Sequence, residues 1–127
     1  MIEGLFNQTN YVAAKKMLDV TAMRHEAIAS NLANLATPNY KRVDVAPSFA
    51  TELSQAVSSR DANRIGSVQP QLAVDGNALP VRRDGNTVQL ESELLKLNQN
   101  FLEHQLETQL VSGMMMKLRM AITGRAT

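Results

Sequence analysis

Apolar positions recur in alternating steps of three and four at both ends of the chain. The first tract runs Tyr11, Ala14, Leu18, Thr21, His25, Ile28, Leu32, Leu35. The second runs Leu90, Leu94, Leu97, Phe101, His104, Thr108, Val111, Met115, Leu118, Ile122. That spacing keeps one stripe on one side of a helix and suits knobs-into-holes pairing. It predicts two long terminal helices, over 1–37 and 90–127, folded into an antiparallel coiled coil. At ~1.5 Å per residue they would measure about 40 and 50 Å. Thr37-Pro38 stops the first, because the residue before Pro is pushed out of the α region. Glu91 and Glu93 near the start of the second helix, and Lys117 and Arg119 near its end, oppose the helix dipole.

Both helices carry apolar side chains beyond this stripe. On the second, Leu95, Leu102, Leu106, Leu110, Met116 and Met120 fall away from it; on the first, Ala13, Val20, Met23 and Ala27 do. A two-helix hairpin covers one stripe per helix, and helices apolar on several sides are normally buried on several sides. Each large apolar side chain left in water forgoes about 1.5–3 kcal/mol. The pattern therefore assigns Leu18, Ile28, Leu32, Leu35, Leu94, Leu97, Phe101, Val111, Met115 and Leu118 to the intrachain seam. It assigns Val20, Met23, Leu95, Leu102, Leu106, Leu110, Met116 and Met120 to contacts with other subunits. A four-helix homodimer would also cover the second set. Met114, Met115, Met116 and Met120 are flexible fillers that can adapt one surface to unlike neighbours.

Residues 38–89 read as an irregular middle segment, with all four Pro of the chain. A short helix is expected over Thr51 to Ser58, capped by Ser48, with Phe49, Leu53 and Val57 on one face. Ser58 to Gln71 is polar and expected to be mobile. Asp75-Gly76-Asn77 and Asp84-Gly85-Asn86 are turn sequences. Leu79 to Arg83 and Thr87 to Val88 are expected to form a short hairpin. The fold class is thus dominated by α-helix, with a partly β-hairpin middle.

Composition narrows the function. The net charge is +1 and no segment carries a basic stripe, which argues against nucleic acid. The pairs Lys15-Lys16, Lys41-Arg42 and Arg82-Arg83 read as solvated surface. With no Cys, disulfides and zinc–thiolate sites are excluded. No signal peptide and no membrane span is expected. His25 and His104 are the only imidazoles and sit on the stripes, where buried core positions are expected. No phosphate loop, nucleophile motif or metal-ligand spacing appears, so no catalytic residue, cofactor, metal or small-molecule substrate is assigned.

Residues 27–41 carry the pattern Asn31-Leu32-Ala33-Asn34, two residues, then Thr37-Pro38-Asn39-Tyr40-Lys41. It resembles the N-terminal signature of flagellar basal-body rod and hook proteins, with Asn39 in place of the usual Gly. Asn is the residue most tolerant of a left-handed conformation after Gly, so the turn can survive. Arg42-Val43-Asp44 followed by Phe49, and Asp84-Gly85-Asn86-Thr87-Val88-Gln89-Leu90-Glu91, resemble the FlgB-type (proximal rod) branch. The resemblance implies a structural rod subunit and not an enzyme. Its implied partners are itself, other rod subunits, a rod-base adaptor, a membrane-ring protein and the flagellar type III export gate. It implies a periplasmic place in the basal body, reached without a cleaved signal. It also implies that Phe49 and Leu53, at Phe-x-x-x-hydrophobic spacing, dock on the export gate; packing of that short helix on the hairpin is the competing reading. A non-filamentous helical adaptor or export chaperone is the alternative from another class.

Overall fold

The computed structural model describes residues 9–124. The expected helical residues 1–8 and 125–127 lie outside the described residues. In chain order the elements are α1 (Thr9–Ala33), β1 (Val43–Val45), α2 (Ser48–Ser58), α3 (Ala62–Ser67), β2 (Leu72–Val74) and α4 (Leu90–Thr123). α1 and α4 run antiparallel: Thr21 meets Asn100 and His104, Arg24 meets Glu103, and Asn31 meets Glu93. The all-α-dominated hairpin read from the terminal patterns is therefore the fold.

α1 is the central element. α4 lies along one side of it, and β1, α2 and α3 pack on the rest. The apolar core sits between α1 and the small helices. Val20, Phe49, Leu53, Ala56, Ile65 and Val68 form it, with Val12, Ala13 and Val45 packed at its edge. Val20, expected to face other subunits, is covered by the chain's own middle segment. Its apolar face was visible in the sequence; the helix that covers it was not.

That covering helix is α3, in the stretch expected to be mobile. Ile65 is fully buried there. Asp61 caps α3 by accepting the Asn63 amide at 3.0 Å, supplying one of the unpaired amides of a helix start. α2 begins at Ser48 after Pro47, with no side-chain cap. Its inner face is Phe49, Leu53 and Ala56, while Val57 is exposed. The expected hairpin over 79–88 is not a strand pair. The two-stranded antiparallel sheet joins β1 to β2 instead, pairing Val43 with Val74 and Val45 with Leu72.

α4 also turns differently from expectation. Its buried residues are Glu93, Asn100, Glu107 and Leu118, with Leu97 and Val111 half-buried between them. Leu94, Phe101 and Met115, assigned to the seam, are exposed. The packed stripe shares Leu97, Val111 and Leu118 with the expected one but takes the preceding residue at every other step. Polar side chains at seven-residue spacing hold those steps: Glu93 bonds Asn31 on α1 and Arg42 in the loop, and Asn100 bonds the Thr21 carbonyl on α1, partners that a hydropathy pattern cannot see. On α1, Ile28 is buried and Leu18, Leu32 and Leu35 are half-buried.

Ile65→Ala should lower the unfolding free energy by about 2–5 kcal/mol, since the site is closed on all sides. Urea denaturation followed by circular dichroism measures it; a loss under ~1 kcal/mol would mean that α3 does not contribute to the core.

Candidate functional site

Two features stand out: a buried polar junction where α1 ends and α4 begins, and the outward side of α4. The junction starts from Asn31, which is fully buried. Its Nδ2 donates to the Val43 carbonyl and its Oδ1 accepts the Val43 amide, both at 2.9 Å. One side chain thereby satisfies the outer edge of β1 as a neighbouring strand would. Asn31 Nδ2 also lies 3.3 Å from Glu93 Oε2, and Oδ1 accepts from the Tyr40 hydroxyl at 3.3 Å.

Arg42 sits at the centre, 5% exposed. Its Nε donates to Glu93 Oε1 at 2.7 Å, and its Nη1 donates to Asp75 Oδ2 at 2.6 Å and Asp44 Oδ2 at 3.2 Å. Burial opposes the guanidinium's charge, but Glu93, Asp75 and Asp44 outweigh it and hold the pKa above its ordinary value. Burial also works to raise the Asp75 pKa, yet the Arg42 hydrogen bond and charge, the Asn77 amide and Lys96 hold it below the usual carboxylate range. Sequence reading took Lys41-Arg42 for solvated surface. Lys41 is exposed, but Arg42 is buried and pairs with three carboxylates. Besides Asp44, its partners Asp75 and Glu93 lie 33 and 51 residues away, so local sequence carried no sign of them. Lys16, also read as solvated, is buried on α1 as well.

The signature residues hold the turn beside this junction. Thr37 donates to Asn34 Oδ1 at 3.1 Å, and Asn34 Nδ2 bonds back to the Ser30 carbonyl at 2.9 Å. Asn39 adopts φ 59°, the left-handed conformation that Asn tolerates, and its amide reaches the Asp84 carbonyl at 2.8 Å. Gly85 (φ 79°) faces it, and a Cβ at Gly85 would come 2.5 Å from Asn39 Oδ1. Lys41 Nζ reaches the Gly85 carbonyl at 3.2 Å. Leu32 is half-buried; Ala33 and Pro38 are exposed. The buried Asn86 was missed by sequence reading. Its Nδ2 donates to the carbonyls of Asn34, Leu35 and Thr37 at 2.9–3.1 Å, satisfying the free carbonyls after α1. Its place in the second Asp-Gly-Asn turn was the available signal.

A second polar layer lies further along the seam. Thr21 donates to the Leu18 carbonyl at 2.9 Å, and its oxygen lies 3.0 Å from His104 Nδ1. His25 and His104 are exposed rather than buried in the core, and they line one cavity of about 330 Å³ with Thr21, Ala22, Asn100 and Phe101. Among the described residues no cluster of three potential metal ligands occurs. Asn100 Oδ1 and Glu107 Oε2 are buried with no partner among the described residues. Burial and the nearby Glu103 raise the Glu107 pKa, outweighing Thr21, His104 and Arg24.

The outward side of α4 is apolar. Phe101, Leu102 and Leu106 are 60%, 64% and 60% exposed, and Leu94, Leu95, Leu110, Met115, Met116, Met120 and Ile122 continue the surface. Met23, assigned with this set, is half-buried. No helix is long and apolar enough to cross a membrane among the described residues.

Two outcomes follow for stability. Glu93→Ala leaves the buried Arg42 Nε without its acceptor, with Asp75 and Asp44 still paired, and should destabilise by about 1–3 kcal/mol, whereas Arg42→Met with Glu93→Leu should cost less than the two single changes summed. Chemical denaturation of the native chain, Glu93→Ala, the two single changes and the double checks this. For Glu107 the folded pKa is raised, so the folded state binds more protons above pH 4.5. Its favourable contribution is full below that pH and is lost as pH rises through the folded pKa. Glu107→Gln should therefore raise Tm at pH 7 and flatten the decline from pH 4.5 upward; an unchanged profile would contradict this.

No protein-family model matches the chain. Individual relatives do. The chain is 31% identical to the flagellar basal body rod protein FlgB of Borrelia hermsii, over 75% of this chain and 82% of that one. It is 34% identical to FlgB of Cereibacter sphaeroides, over 80% and 84%. It is 29% identical to FlgB of Escherichia coli K12, over 78% and 82%. With that similarity spanning most of both chains, and with Asn31, Asn34, Thr37 and Tyr40 bonded around one turn, the chain belongs to the FlgB family of flagellar basal body rod proteins.

Proposed function

We propose that this chain is a structural subunit of the proximal rod that polymerises through its terminal helices to help form the axial drive shaft. The observation that carries the reading is the outward side of α4. A helix that turns Phe101, Leu102, Leu106 and Leu110 to water while lodging Glu93, Asn100 and Glu107 against α1 needs further chains to cover it. Assembly buries that surface. On this reading residues 1–37 and 90–127 form the axial coiled-coil unit and 38–89 an outer segment. The partners are other copies, other rod subunits, and at the base an adaptor and a membrane-ring protein. No catalytic role is proposed. The chain leaves the cell through the type III export gate without a cleaved signal. Phe49 and Leu53 belong to the folded core. If they also dock on that gate, they do so before folding, and Phe49→Ala should then lower secretion as well as stability.

Leu102→Gln with Leu106→Gln tests the reading. Both sites are exposed, so the folded chain should lose no more than ~0.5 kcal/mol. Cells carrying the double variant should lose motility and yield basal bodies without this subunit. Motile cells with intact rods, or a native chain found only as a discrete soluble oligomer, would refute it.

A further inference from the structure

The two edges of the β1–β2 ribbon are treated differently. Its register pairs Asp44 with Ala73 between Val43–Val74 and Val45–Leu72. Just outside it, Ala46 N–H donates to the Gln71 carbonyl at 2.8 Å and Asp75 N–H to the Arg42 carbonyl at 2.9 Å. Hydrogen-bonded and non-bonded pairs alternate along an antiparallel ladder. The bonded pairs are therefore 42/75, 44/73 and 46/71, and the backbone groups of Val43, Val45, Leu72 and Val74 point away from the ladder.

On the β1 side three of the four groups are used. Asn31 takes both the N–H and the C=O of Val43, and the Val45 N–H donates to Asp44 Oδ1 at 2.7 Å. On the β2 side, the N–H and C=O groups of Leu72 and Val74 have no partner among the described residues. β2 packs chiefly on β1, and its side chains are open: Leu72 is 39% and Val74 61% exposed. Both lie on the ribbon face that carries Val43 and Val45, where Val45 already meets the apolar core. Leu72–Val74 holds no Lys, Pro or bulge to blunt its free edge, which is limited only by its length of 3 residues.

We infer that the free edge of β2 takes a third strand: an extended segment of a neighbouring subunit, with apolar side chains at alternate positions laid beside Leu72 and Val74. The free donor and acceptor groups at alternate residues specify an extended chain rather than a helix. The opposite ribbon face carries Asp44 and Asp75, both already paired with Arg42, so the added strand needs no charge there. Two residues of edge are too few to hold a free partner. They act where assembly through α4 has raised the local concentration. The inference thus rests on the rod-subunit reading and adds a second, directional contact to it.

Val74→Pro removes the outward N–H and leaves the bonded 44/73 pair intact, the placement at which strand Pro is tolerated. Val74→Thr keeps the N–H and is the control. In isolated basal bodies, native Leu72 and Val74 amides should exchange at least ~10-fold more slowly than in the free folded chain. Incorporation of Val74→Pro should fall at least ~10-fold, with Val74→Thr at the native level and melting of both near native. Should Val74→Pro fail to fold, the exchange measurement decides alone. Free-chain exchange rates at both amides within the basal body, or native incorporation of folded Val74→Pro, would overturn the strand and leave the rod reading standing. Absence of the native chain from basal bodies would overturn both.

Discussion

The buried contact between Arg42 and Glu93 ties together parts of the chain that lie far apart in sequence. Glu93 belongs to the first turns of α4, Arg42 to the segment after α1, and Asp75 to the loop after β2. One guanidinium fixes the start of the long helix against the turn and the ribbon. A charge this deep is tolerated only because its donors are matched, and removal of one partner is costly for the same reason. Asn31 extends the contact by bonding Glu93 and β1 at once, and Asn86 seals the carbonyls left after α1. The signature Asn-Leu-Ala-Asn and Thr-Pro-Asn-Tyr-Lys is in physical terms the local half of this junction.

From that junction the rotation of α4 follows. With Glu93 held inward, residues at seven-residue spacing, Asn100 and Glu107, also face α1. The seam is therefore polar at alternate steps, and Leu94, Phe101 and Met115 turn outward with Leu95, Leu102 and Leu106. This inverts the usual arrangement of a two-helix hairpin. Partnered polar groups at seam positions trade stability for a defined register. The apolar surface released by that choice lies along most of α4, on the side where an assembly would cover it. Meanwhile the apolar core lies on another side of α1, under α2 and α3, so the single chain has a core without using the outer face of α4.

The terminal helices were legible because their periodicity is long, Thr37-Pro38 ends the first and the Asp84-Gly85-Asn86 turn precedes the second. The left-handed Asn39 was legible because so few residue types adopt that conformation. The rotation of α4 was not, since a hydropathy pattern gives the seam to Leu94 and Phe101, and only Arg42 and Asn31 decide for Glu93. Both act across tens of residues. α3 was hidden for a related reason: its two anchors, Ile65 and Val68, stand among polar residues, and Val20 on α1 completes their packing. The sheet was placed in the wrong pair of segments because β1 owes its outer edge to a side chain of α1, which no strand pattern records.

The central claim is that the apolar side of α4 is an interface inside the rod while the Arg42–Glu93 junction holds the helix in its rotation. Cryo-electron microscopy of isolated basal bodies at side-chain resolution tests it most directly. The account predicts this chain in the proximal rod, Leu102, Leu106 and Leu110 buried against neighbouring subunits, and Arg42 still paired with Glu93. A rod without this chain, or one in which those leucines face solvent while Leu94 and Phe101 pack against α1, would contradict it.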